Sequence, residues 1–594
     1  MFLKKLLRKK DGKGHTYWAL VESVRTAKGP RHRMVAYLGE LETIGTARWD
    51  ELAGKLNGRT FPVPQLGLFQ DKDPQMEAVP ERVSIDLKSV RVEGTKDFGD
   101  VWLALLLWRT LGFDALFDKL LSGGREEIQW GLPAAILAIG RLCAPSSELH
   151  TADTWYPGTS LAEMMGVSRD KIHVERLYRT LDVLHPHKQA VESHLKERFA
   201  SLFRAEYDLL LYDVTSTYFE GECEKNPQAK RGYSRDKRFD CKQVCIALVV
   251  TTEGLPIAYE VFDGNRADVT TVEDIVNAVE NKYGRANRIW VVDRGMVSEK
   301  NLKYIRGRQG RYIVGAVRSQ LKKFEKEMTT QGWTQVEQGV EVKLCASADG
   351  LERFVLCRSA ERGAKEKAIH QRFSKRIEDG LKKLSGRLLH AQKTPDRSEV
   401  ERQIGKLFGR NNRASGMYSV CVEEDPERAG HLRLNWTVNQ QWSQWAALTE
   451  GAYLLRSNVT DCSAEELWKM YIQLTDAEEA FRTIKSELRL RPIYHQTERR
   501  VQAHILVSFI AYAMYKVLQK WMESCGLGRG VRTILEEIGR LKCNDVILGT
   551  VEGRDIHLQC VTLPDGALRV LLARLKLEIP QRLGAPRWRK TVAK

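Results

Sequence analysis

The sequence lacks an apolar run that we would expect to cross a membrane. Its most apolar helical segment, Ile505–Met514, is far shorter than the roughly 20 residues that a transmembrane helix needs. His504 and Lys516 bracket that segment, which favours a helix buried in a soluble protein. The segment Met1–Lys10 is charged and lacks the apolar stretch of a signal peptide. We therefore expect a cytoplasmic protein with no membrane partner.

Paired cysteines and zinc-type clusters are lacking as well. The 11 cysteines are scattered, and none of them forms a Cys-x-x-Cys pair. Cys241 and Cys245 have no further Cys or His at zinc-like spacing nearby. We expect reduced thiols, and neither a disulfide framework nor a structural zinc site.

Acidic residues are in the minority. The chain has 94 Lys and Arg against 77 Asp and Glu, a formal net charge of +17. A positive field of this kind favours polyanions, and nucleic acid is the commonest of them. A basic ribosomal or membrane-surface protein would show the same balance, so charge alone decides little. With 594 residues and 43% hydrophobic content, the chain is expected to form three or four globular units.

The N-terminal segment 1–95 is predicted to be a β-rich basic region followed by a linker. Residues 16–40 have the pattern of two strands joined by an Ala-Lys-Gly-Pro turn. Arg25, Arg31 and Arg33 flank that turn, where a hairpin could lay them along a DNA groove. A solvated basic hairpin that ignores DNA is the alternative.

The next segment, 96–204, has helical spacing and is predicted to bind DNA. Within it, residues 161–184 have the pattern of a helix-turn-helix, with Gly166 in the turn and Ser168 capping the second helix. An ordinary helical hairpin is the better-supported alternative.

From 205 to 318 the period changes to that of strands. The predicted elements are the strands Tyr207–Thr215, Gln243–Thr251 and Leu255–Phe262, a helix at about 270–282, the strand Arg288–Val292, a helix at 298–309 and the strand Tyr312–Val317. The order βββ-α-β-α-β is that of an RNase H-like sheet in an α/β fold.

The remaining chain divides into three further segments. Residues 319–460 are predicted to be a strand-rich insertion domain around a helical pair, at about 364–391 and 397–409. Residues 461–525 are predicted to resume the core with a helix that carries its last carboxylate. Residues 526–594 are assigned to a small mixed region for dimerisation with a basic tail.

Asp213 is the first carboxylate that stands out. It interrupts the apolar run Leu209–Val214 inside the first core strand. An ionised carboxylate there is costly unless it is paired or bound to a metal. An aspartate that caps the strand end with Thr215 and Ser216 is an equally supported alternative.

Asp293 is a second carboxylate next to an apolar core strand, because it directly follows the strand that ends at Val292. Arg294 and Gly295 come next in the chain. Sites gather at strand C-termini in sheets with parallel strands, and a glycine lets a substrate backbone come close. An ordinary turn aspartate is the alternative. Two such buried aspartates on neighbouring strands would repel each other unless a cation lay between them.

The third carboxylate follows from helical periodicity. Steps of three and four residues predict one helix face, made of Tyr471, Leu474, Glu478, Phe481, Lys485 and Leu488. Because that face carries Leu and Phe, Glu478 is predicted to face inward, and Asp476 and Glu479 to be solvated. A direct salt bridge from Glu478 to Lys485 is disfavoured, since seven residues span about two turns.

Three inward carboxylates, Asp213, Asp293 and Glu478, suit hard cations with oxygen ligands. Mg²⁺ prefers few carboxylates together with waters and phosphate oxygens. Two such ions, roughly 3.5–4 Å apart, clamp the attacking and leaving oxygens of an in-line phosphoryl transfer. The sequence therefore predicts these residues as catalytic groups and ligands of two Mg²⁺ ions, for which Mn²⁺ is expected to substitute.

These residues resemble the signature of DDE insertion-sequence transposases, which carry an Asp–Asp–Glu triad on an RNase H-like fold. The chain is similar to the IS-four superfamily, with its Tyr-x2-Arg-x3-Glu-x6-Lys helix, and within it to the group named for insertion sequence sixteen-thirty-four. Here the signature reads Tyr471-x2-Leu474-x3-Glu478-x6-Lys485. Leu474 replaces the usual Arg, and Arg482 is the candidate to take over its role.

Further fragments agree in order, namely YDVTSTYFEG, RGYSRDKRFD, EGLPIAYEVFDGNRAD, VVDRGMVS and FRTIKSELRLRPIYH. The resemblance implies a bacterial, nucleoid-associated enzyme for cut-and-paste transposition at terminal inverted repeats. It also implies double-stranded DNA as substrate and target, and a homodimer on paired ends. By the same resemblance Tyr471 and Lys485 contact DNA near the cleaved end, and Arg482 and Arg294 are added as DNA-binding candidates.

The predicted insertion contains the segment WTVNQQWSQW, with Trp436, Trp442 and Trp445. Relatives use an insertion-domain tryptophan to hold a base flipped from the DNA end, where stacking supplies the energy. A place in the core of a small β-domain is the stronger interpretation for at least two of them, so none is assigned.

Two other functions compete with transposition. A structure-selective nuclease on the same fold would cut DNA without joining ends, and it would not need so large an insertion. A catalytically silent, transposase-derived DNA-binding protein would not need costly buried carboxylates. A strand-transfer assay with Mg²⁺ separates the three.

Overall fold

The computed structural model describes the backbone of three N-terminal strands, and the backbone and side chains of most residues from 79 to 589. Outside the description are residues 1, 11–12, 27–28, 40–78, 81, 122–126, 206, 284–287, 348–349, 392–395, 429 and 590–594. In chain order the described strands are β1 Phe2–Lys10, β2 Lys13–Thr26, β3 Gly29–Gly39, β4 Arg91–Asp97, β5 Leu209–Tyr218, β6 Gln243–Thr251, β7 Pro256–Asp263, β8 Ile289–Val292, β9 Arg311–Gly315, β10 Thr334–Glu337, β11 Val340–Ala346, β12 Arg353–Ser359, β13 Tyr418–Glu424, β14 Leu432–Val438, β15 Ala452–Ser457, β16 Lys542–Gly549, β17 Asp555–Val561 and β18 Arg587–Arg589.

Helices alternate with these strands along most of the chain. The described α-helices of eight residues or more are α1 Gly99–Thr110, α2 Phe113–Leu120, α3 Gly131–Cys143, α4 Val174–Leu184, α5 Lys188–Phe203, α6 Val272–Tyr283, α7 Glu299–Gly307, α8 Ala360–His390, α9 Arg397–Arg410, α10 Gln440–Thr449, α11 Ala464–Ile472, α12 Leu474–Arg482, α13 Glu498–Ser524, α14 Val531–Ile538 and α15 Gly566–Arg574. The protein is therefore of the mixed α/β class, as predicted.

The segment predicted as a sheet has the expected order of elements. β5, β6 and β7 are consecutive antiparallel neighbours, and β6 is buried along its whole length, as its apolar sequence favours. After α6 the chain forms β8, α7 and β9, and β8 and β9 are parallel. The predicted order βββ-α-β-α-β is confirmed.

The chain divides into two compact units. Residues 14–288 and 473–594 belong to the first unit, and residues 289–472 to the second. The six segments proposed from the sequence have other limits and stay predictions.

The first unit has the long helix α13 in its core. By length and composition α13 could cross a membrane, with a mean hydropathy of 1.4 over its most apolar window, but 89% of that window is buried inside the protein. All residues of Ile505–Met514 are buried. The expectation of a helix too short to cross a membrane was wrong, because α13 extends well beyond Ile505–Met514 at both ends. The predicted burial of this segment is confirmed.

The helix-turn-helix candidate takes another form. Gly166 has a φ of 66° and ends a helix of only five residues, Leu161–Met165. α4 begins at Val174, and its cap is His173, whose ring accepts a hydrogen bond from the Arg176 N–H. Ser168 instead precedes a short 3₁₀ turn. The prediction of Ser168 as the cap was wrong, because that turn separates it from the helix.

The C-terminal region of the first unit forms a sheet with a strand from far upstream. β16 pairs with β17 and also with β4, and both pairings are antiparallel. Lys542 at the start of β16 forms a 2.6 Å salt bridge with Asp97 at the end of β4. The strand after the predicted linker is therefore part of the C-terminal sheet.

The second unit has a mixed sheet and a helical pair. The strand order in this unit is β10-β11-β12-β15-β9-β8, with β8 and β9 parallel and the other neighbours antiparallel. α8 and α9 are the predicted helical pair, and their bounds agree closely with the prediction. Apolar residues of the pair pack with those of the hairpin β13–β14 in one hydrophobic cluster.

Candidate active site

Asp213 lies in the middle of β5, opposite Leu248 of β6. Its side chain is 15% exposed, and its Oδ1 accepts a 2.8 Å hydrogen bond from the Val214 N–H. β5 continues to Tyr218, so the alternative of an aspartate at a strand end was wrong. The structure places this carboxylate within a strand and largely sheltered from water, as the first interpretation predicted.

A guanidinium accompanies Asp213. Arg235 Nη1 lies 3.9 Å from Asp213 Oδ1. The same side chain donates hydrogen bonds to the Val214 carbonyl and to the Asp268 carboxylate. Sequence reasoning missed this residue, although it lies in the quoted fragment RGYSRDKRFD. Pairing with a cation lowers the cost of holding a carboxylate in a strand.

Glu478 lies on α12, which packs against β5 within the first unit. The buried residues of α12 are Leu474, Ala477, Ala480 and Phe481, and Glu478 is exposed. The prediction that Glu478 faces inward was wrong. The physical reason is that Ala477 and Ala480 are also buried, so the buried face of α12 is centred away from Glu478, which lies at its edge.

The neighbouring carboxylates were expected to be solvated, and they are half-buried. Glu479 Oε1 accepts a 3.4 Å hydrogen bond from the guanidinium of Arg482, whose side chain is 74% exposed. Burial raises the pKa of Asp476, an effect that Lys516 of α13 opposes. The physical reason for the difference is that α12 is covered on more than its apolar side.

Lys485 is buried, with a side chain 8% exposed. Its Nζ lies 3.2 Å from Asp236 Oδ1, and Arg491 also pairs with Asp236. Burial lowers the pKa of Lys485, while Asp236 opposes that change. Lys485 does not share a face with Glu478, because Thr483–Glu487 forms a π turn, whose wider hydrogen bonding alters the rotation per residue.

Asp293 lies directly after β8 in the second unit. Its Oδ2 accepts a 3.4 Å hydrogen bond from the Gly295 N–H and so caps the 3₁₀ turn Arg294–Met296. The predicted position at a strand C-terminus is confirmed, but both Asp293 and Arg294 are exposed. The prediction of a buried carboxylate was wrong, because the chain leaves the sheet at Val292.

Tyr471 lies in the last turn of α11, near the same turn of the second unit. A Cβ added at Gly315 would lie 2.7 Å from Tyr471 Oη and 3.4 Å from Arg294 Cβ. Gly315, the last residue of β9, therefore leaves the space in which the Tyr471 hydroxyl lies.

The three N-terminal arginines lie on the predicted pair of strands. β2 and β3 are antiparallel, with Arg25 opposite Pro30, Arg31 opposite Val24 and Arg33 opposite Glu22. The hairpin is confirmed at the level of the backbone. The side chains of these arginines lie outside the described residues.

The tryptophans Trp436, Trp442 and Trp445 lie in different surroundings. Trp436 packs against the hydrophobic cluster of α8, α9, β13 and β14. Trp442 and Trp445 line a cavity of about 460 Å³ together with Arg318, Arg413 and His370. Trp445 also packs against a second hydrophobic cluster, which includes Leu321 and Phe324. The interpretation as core residues therefore holds for Trp436 and Trp445, and Trp442 is the tryptophan that borders the cavity without packing in either cluster.

A buried cluster that sequence reasoning missed lies in the first unit, with Glu148, His495 and His504. Glu148 Oε1 lies 3.2 Å from His495 Nε2 and 3.8 Å from His504 Nδ1. The Arg141 guanidinium lies 3.4 Å from that same Nδ1, where it would repel a cation. Burial lowers the pKa of His504 to about 4. The arrangement is that of a hydrogen-bonded network around one carboxylate rather than of a metal site.

Comparisons with known proteins point to one family. Residues 204–514, more than half of the chain, match the family described as Transposase DDE domain. Residues 3–60 match the family described as IS1634 family transposase, N-terminal domain. Among solved structures, the chain is similar to a cryo-EM structure of a piggyBac transposase synaptic complex with hairpin DNA, at 9% identity and a TM-score of 0.34, over 77% of this chain and 82% of that one. A TM-score of this size does not establish a shared fold. No curated protein matches the chain.

Proposed function

The chain belongs to the DDE transposases of the IS1634 family, and we propose that it carries out cut-and-paste transposition of an insertion sequence. It would cut DNA at terminal inverted repeats and join the freed ends to a target duplex. One observation carries the proposal: the matched region has carboxylates within β5, directly after β8 and on α12, at Asp213, Asp293 and Glu478.

An RNase H-like core is proposed for β5 to β9 together with α12. The element order βββ-α-β-α-β supports it. The strands and helical pair that follow β9 in the chain, up to β15, would be its insertion domain.

The donor set fits Mg²⁺, with Mn²⁺ as a substitute. Asp213, Asp293 and Glu478 offer carboxylate oxygens, the hard ligands that Mg²⁺ prefers. Asp293 and Glu478 are exposed, so they can serve a metal that also binds phosphate oxygens. Two such ions, when bound, activate water or a 3′-hydroxyl and stabilise the departing oxygen.

The remaining site residues would bind and orient DNA. Arg294 and Arg482 are exposed cations next to proposed metal ligands, which suits contact with phosphates. Tyr471 is assigned to the DNA end with Arg294, its neighbour across Gly315. Lys485 would reach a phosphate only by exchanging Asp236 for it, since the two form a buried pair.

The cavity beside Trp442 and Trp445 is the proposed place for a base flipped from the DNA end. The indole ring of Trp442 offers a stacking surface, and Arg413 adds positive charge for the adjoining backbone, while Arg318 is paired with Glu366 of the same cavity. Trp445 is not proposed for stacking because it packs against a hydrophobic cluster. Trp436 is not proposed for this role because it packs in the hydrophobic cluster.

The proposed partners are double-stranded DNA, as inverted-repeat ends and as target, and a second copy of the chain on paired ends. The proposed location is the bacterial cytoplasm, at the nucleoid. A strand-transfer assay with Mg²⁺, paired inverted-repeat ends and a supercoiled target tests the proposal. Joined products support it; cutting without joining indicates a structure-selective nuclease, and binding without cutting a silent DNA-binding protein.

A further inference from the structure

Helix α8 has one face in a hydrophobic core and the other in solvent. Its buried residues, Ile377, Leu381, Leu384 and Leu388, are spaced by three and four and pack in the cluster with α9, β13 and β14. The 3.6-residue period therefore fixes which residues point away from that core. The exposed cations on the outward side, here called the basic face, are Lys365, Arg372, Lys375, Arg376, Lys382 and Lys383.

Carboxylates do not balance the basic face. Glu366 accepts hydrogen bonds from the Gly451 N–H and from Arg362, and Glu378 accepts one from the Tyr418 hydroxyl. Asp379 and Glu361, which lies one turn before Lys365, add two exposed carboxylates on the outward side, against six cations. Within the part of the chain that the structure describes, the cations of the basic face form no salt bridge. The face therefore keeps most of its positive charge for a partner.

The length of the face suits a linear polyanion. From Lys365 to Lys383 an α-helix rises about 27 Å, at 1.5 Å per residue. Each strand of duplex DNA carries a phosphate about every 3.4 Å along the axis, so several phosphates can contact the cations along this part of α8. A second copy of the same face would meet it with like charge, and the cations leave little apolar surface for a protein partner.

We propose that the basic face of α8 binds the phosphates of double-stranded DNA and so holds a duplex segment on the second unit. The choice of duplex DNA rests on the transposase function proposed above. Because phosphates carry no sequence information, this contact would be the same for inverted-repeat ends and for unrelated duplex.

The test uses the full-length protein and two matched double variants. Arg372→Gln with Arg376→Gln removes two charges from the basic face. Arg397→Gln with Arg402→Gln removes two charges from α9, where each arginine already pairs with a carboxylate, at 3.0 Å to Glu401 and 2.9 Å to Glu399. Equilibrium binding to an inverted-repeat duplex and to an unrelated duplex is measured across salt concentrations, with thermal unfolding as the check on folding.

We expect the basic-face variant to bind both duplexes more weakly and to lose about 0.9 in salt slope for each phosphate contact removed. The α9 variant should keep the slope of the parent protein. Equal slopes for all three proteins would overturn the proposal, as would a loss confined to the inverted-repeat duplex. If the basic-face variant unfolds early, Lys382→Gln with Lys383→Gln makes the same test farther along the helix.

This result is separable from the transposase proposal. Strand transfer is measured on the same proteins at saturating DNA. A changed salt slope in a parent protein that joins no DNA would keep the basic face as a DNA contact and reject only the transposase activity. Normal strand transfer by the parent protein, together with a salt slope unchanged in the basic-face variant, would keep the transposase activity and reject the basic face as a DNA contact.

Discussion

The guanidinium of Arg235 lies 3.9 Å from the carboxylate of Asp213 and is held there by hydrogen bonds to Val214 and Asp268. A positive charge therefore stands beside the first proposed metal ligand. A divalent ion that binds Asp213 must compete with that charge, because like charges at this distance repel.

Removal of this charge should favour the metal. We expect Arg235→Gln to bind Mn²⁺ several-fold more tightly than the parent protein, as measured by titration calorimetry without DNA. The control is Arg238→Gln, since Arg238 pairs with Asp240 at 2.9 Å. Weaker or unchanged Mn²⁺ binding by Arg235→Gln would show that Arg235 does not compete with the ion.

The choice between adjacent glutamates on α12 can be tested directly. Glu478→Gln should abolish DNA cleavage and leave DNA binding nearly intact, because metal ligation and phosphate contacts are separate functions. Asp213→Asn and Asp293→Asn should behave in the same way. Glu479→Gln is the matched control, and cleavage lost in that variant but kept in Glu478→Gln would reverse the assignment.

Metal identity gives a further prediction. Cleavage should occur with Mg²⁺ or Mn²⁺, whereas Ca²⁺ should support DNA binding without chemistry, because its longer bonds and looser geometry misplace the reacting oxygens. A gel assay of cleavage and a binding assay with each ion make the comparison. Activity with Zn²⁺ that Mg²⁺ does not reproduce would exclude two Mg²⁺ ions as the cofactor.

Stability should depend on pH through His504. Burial and the Arg141 charge lower the pKa of His504 from 6.5 to about 4, so the folded state favours the neutral ring. Its contribution is fully present above pH 6.5 and is lost as the pH falls toward 4, by about 3 kcal/mol in the free energy of unfolding. Urea unfolding at pH 7 and pH 4.5 should show a smaller loss in His504→Gln, and an equal loss in both proteins would contradict this.

The N-terminal hairpin is expected to contact DNA phosphates. Changing Arg25, Arg31 and Arg33 to Ala should weaken binding to any duplex and lower the salt slope by about 0.9 per phosphate contact. If one of them reads a base, specificity should fall more than affinity. Affinities and slopes equal to those of the parent protein would establish an indifferent basic hairpin and direct attention to residues 160–185.

Periodicity predicted the elements of this chain well, because the strands around Asp213 and the long helix α13 are apolar in patterns that admit few alternatives. It was right for the inward position of Lys485, which is buried, and failed for Glu478, which is exposed. Leu474, Glu478 and Phe481 lie on one uninterrupted helix, whose buried residues also include Ala477 and Ala480. These two alanines shift the centre of the buried face away from Glu478, and a pattern based on the large apolar residues alone does not locate that centre.

Contacts between distant segments could not be predicted from the sequence either. Arg235 approaches Asp213 across a loop, and the Glu148–His495–His504 cluster joins residues more than 300 positions apart. Their residue types are ordinary in isolation. Only the folded chain brings their charges together, so one sequence without a structure gives no signal for either arrangement.

The pairing of β4 with β16 ties residues 91–97 to residues 542–549. During synthesis on the ribosome, the only strand that pairs with β4 among the described residues, β16, emerges when almost the whole chain has been made. A copy truncated before β16, as a frameshift or an early stop codon would produce, leaves that strand as an open edge, which is a template for aggregation. We therefore expect shortened products of such a gene to aggregate more readily than the intact protein.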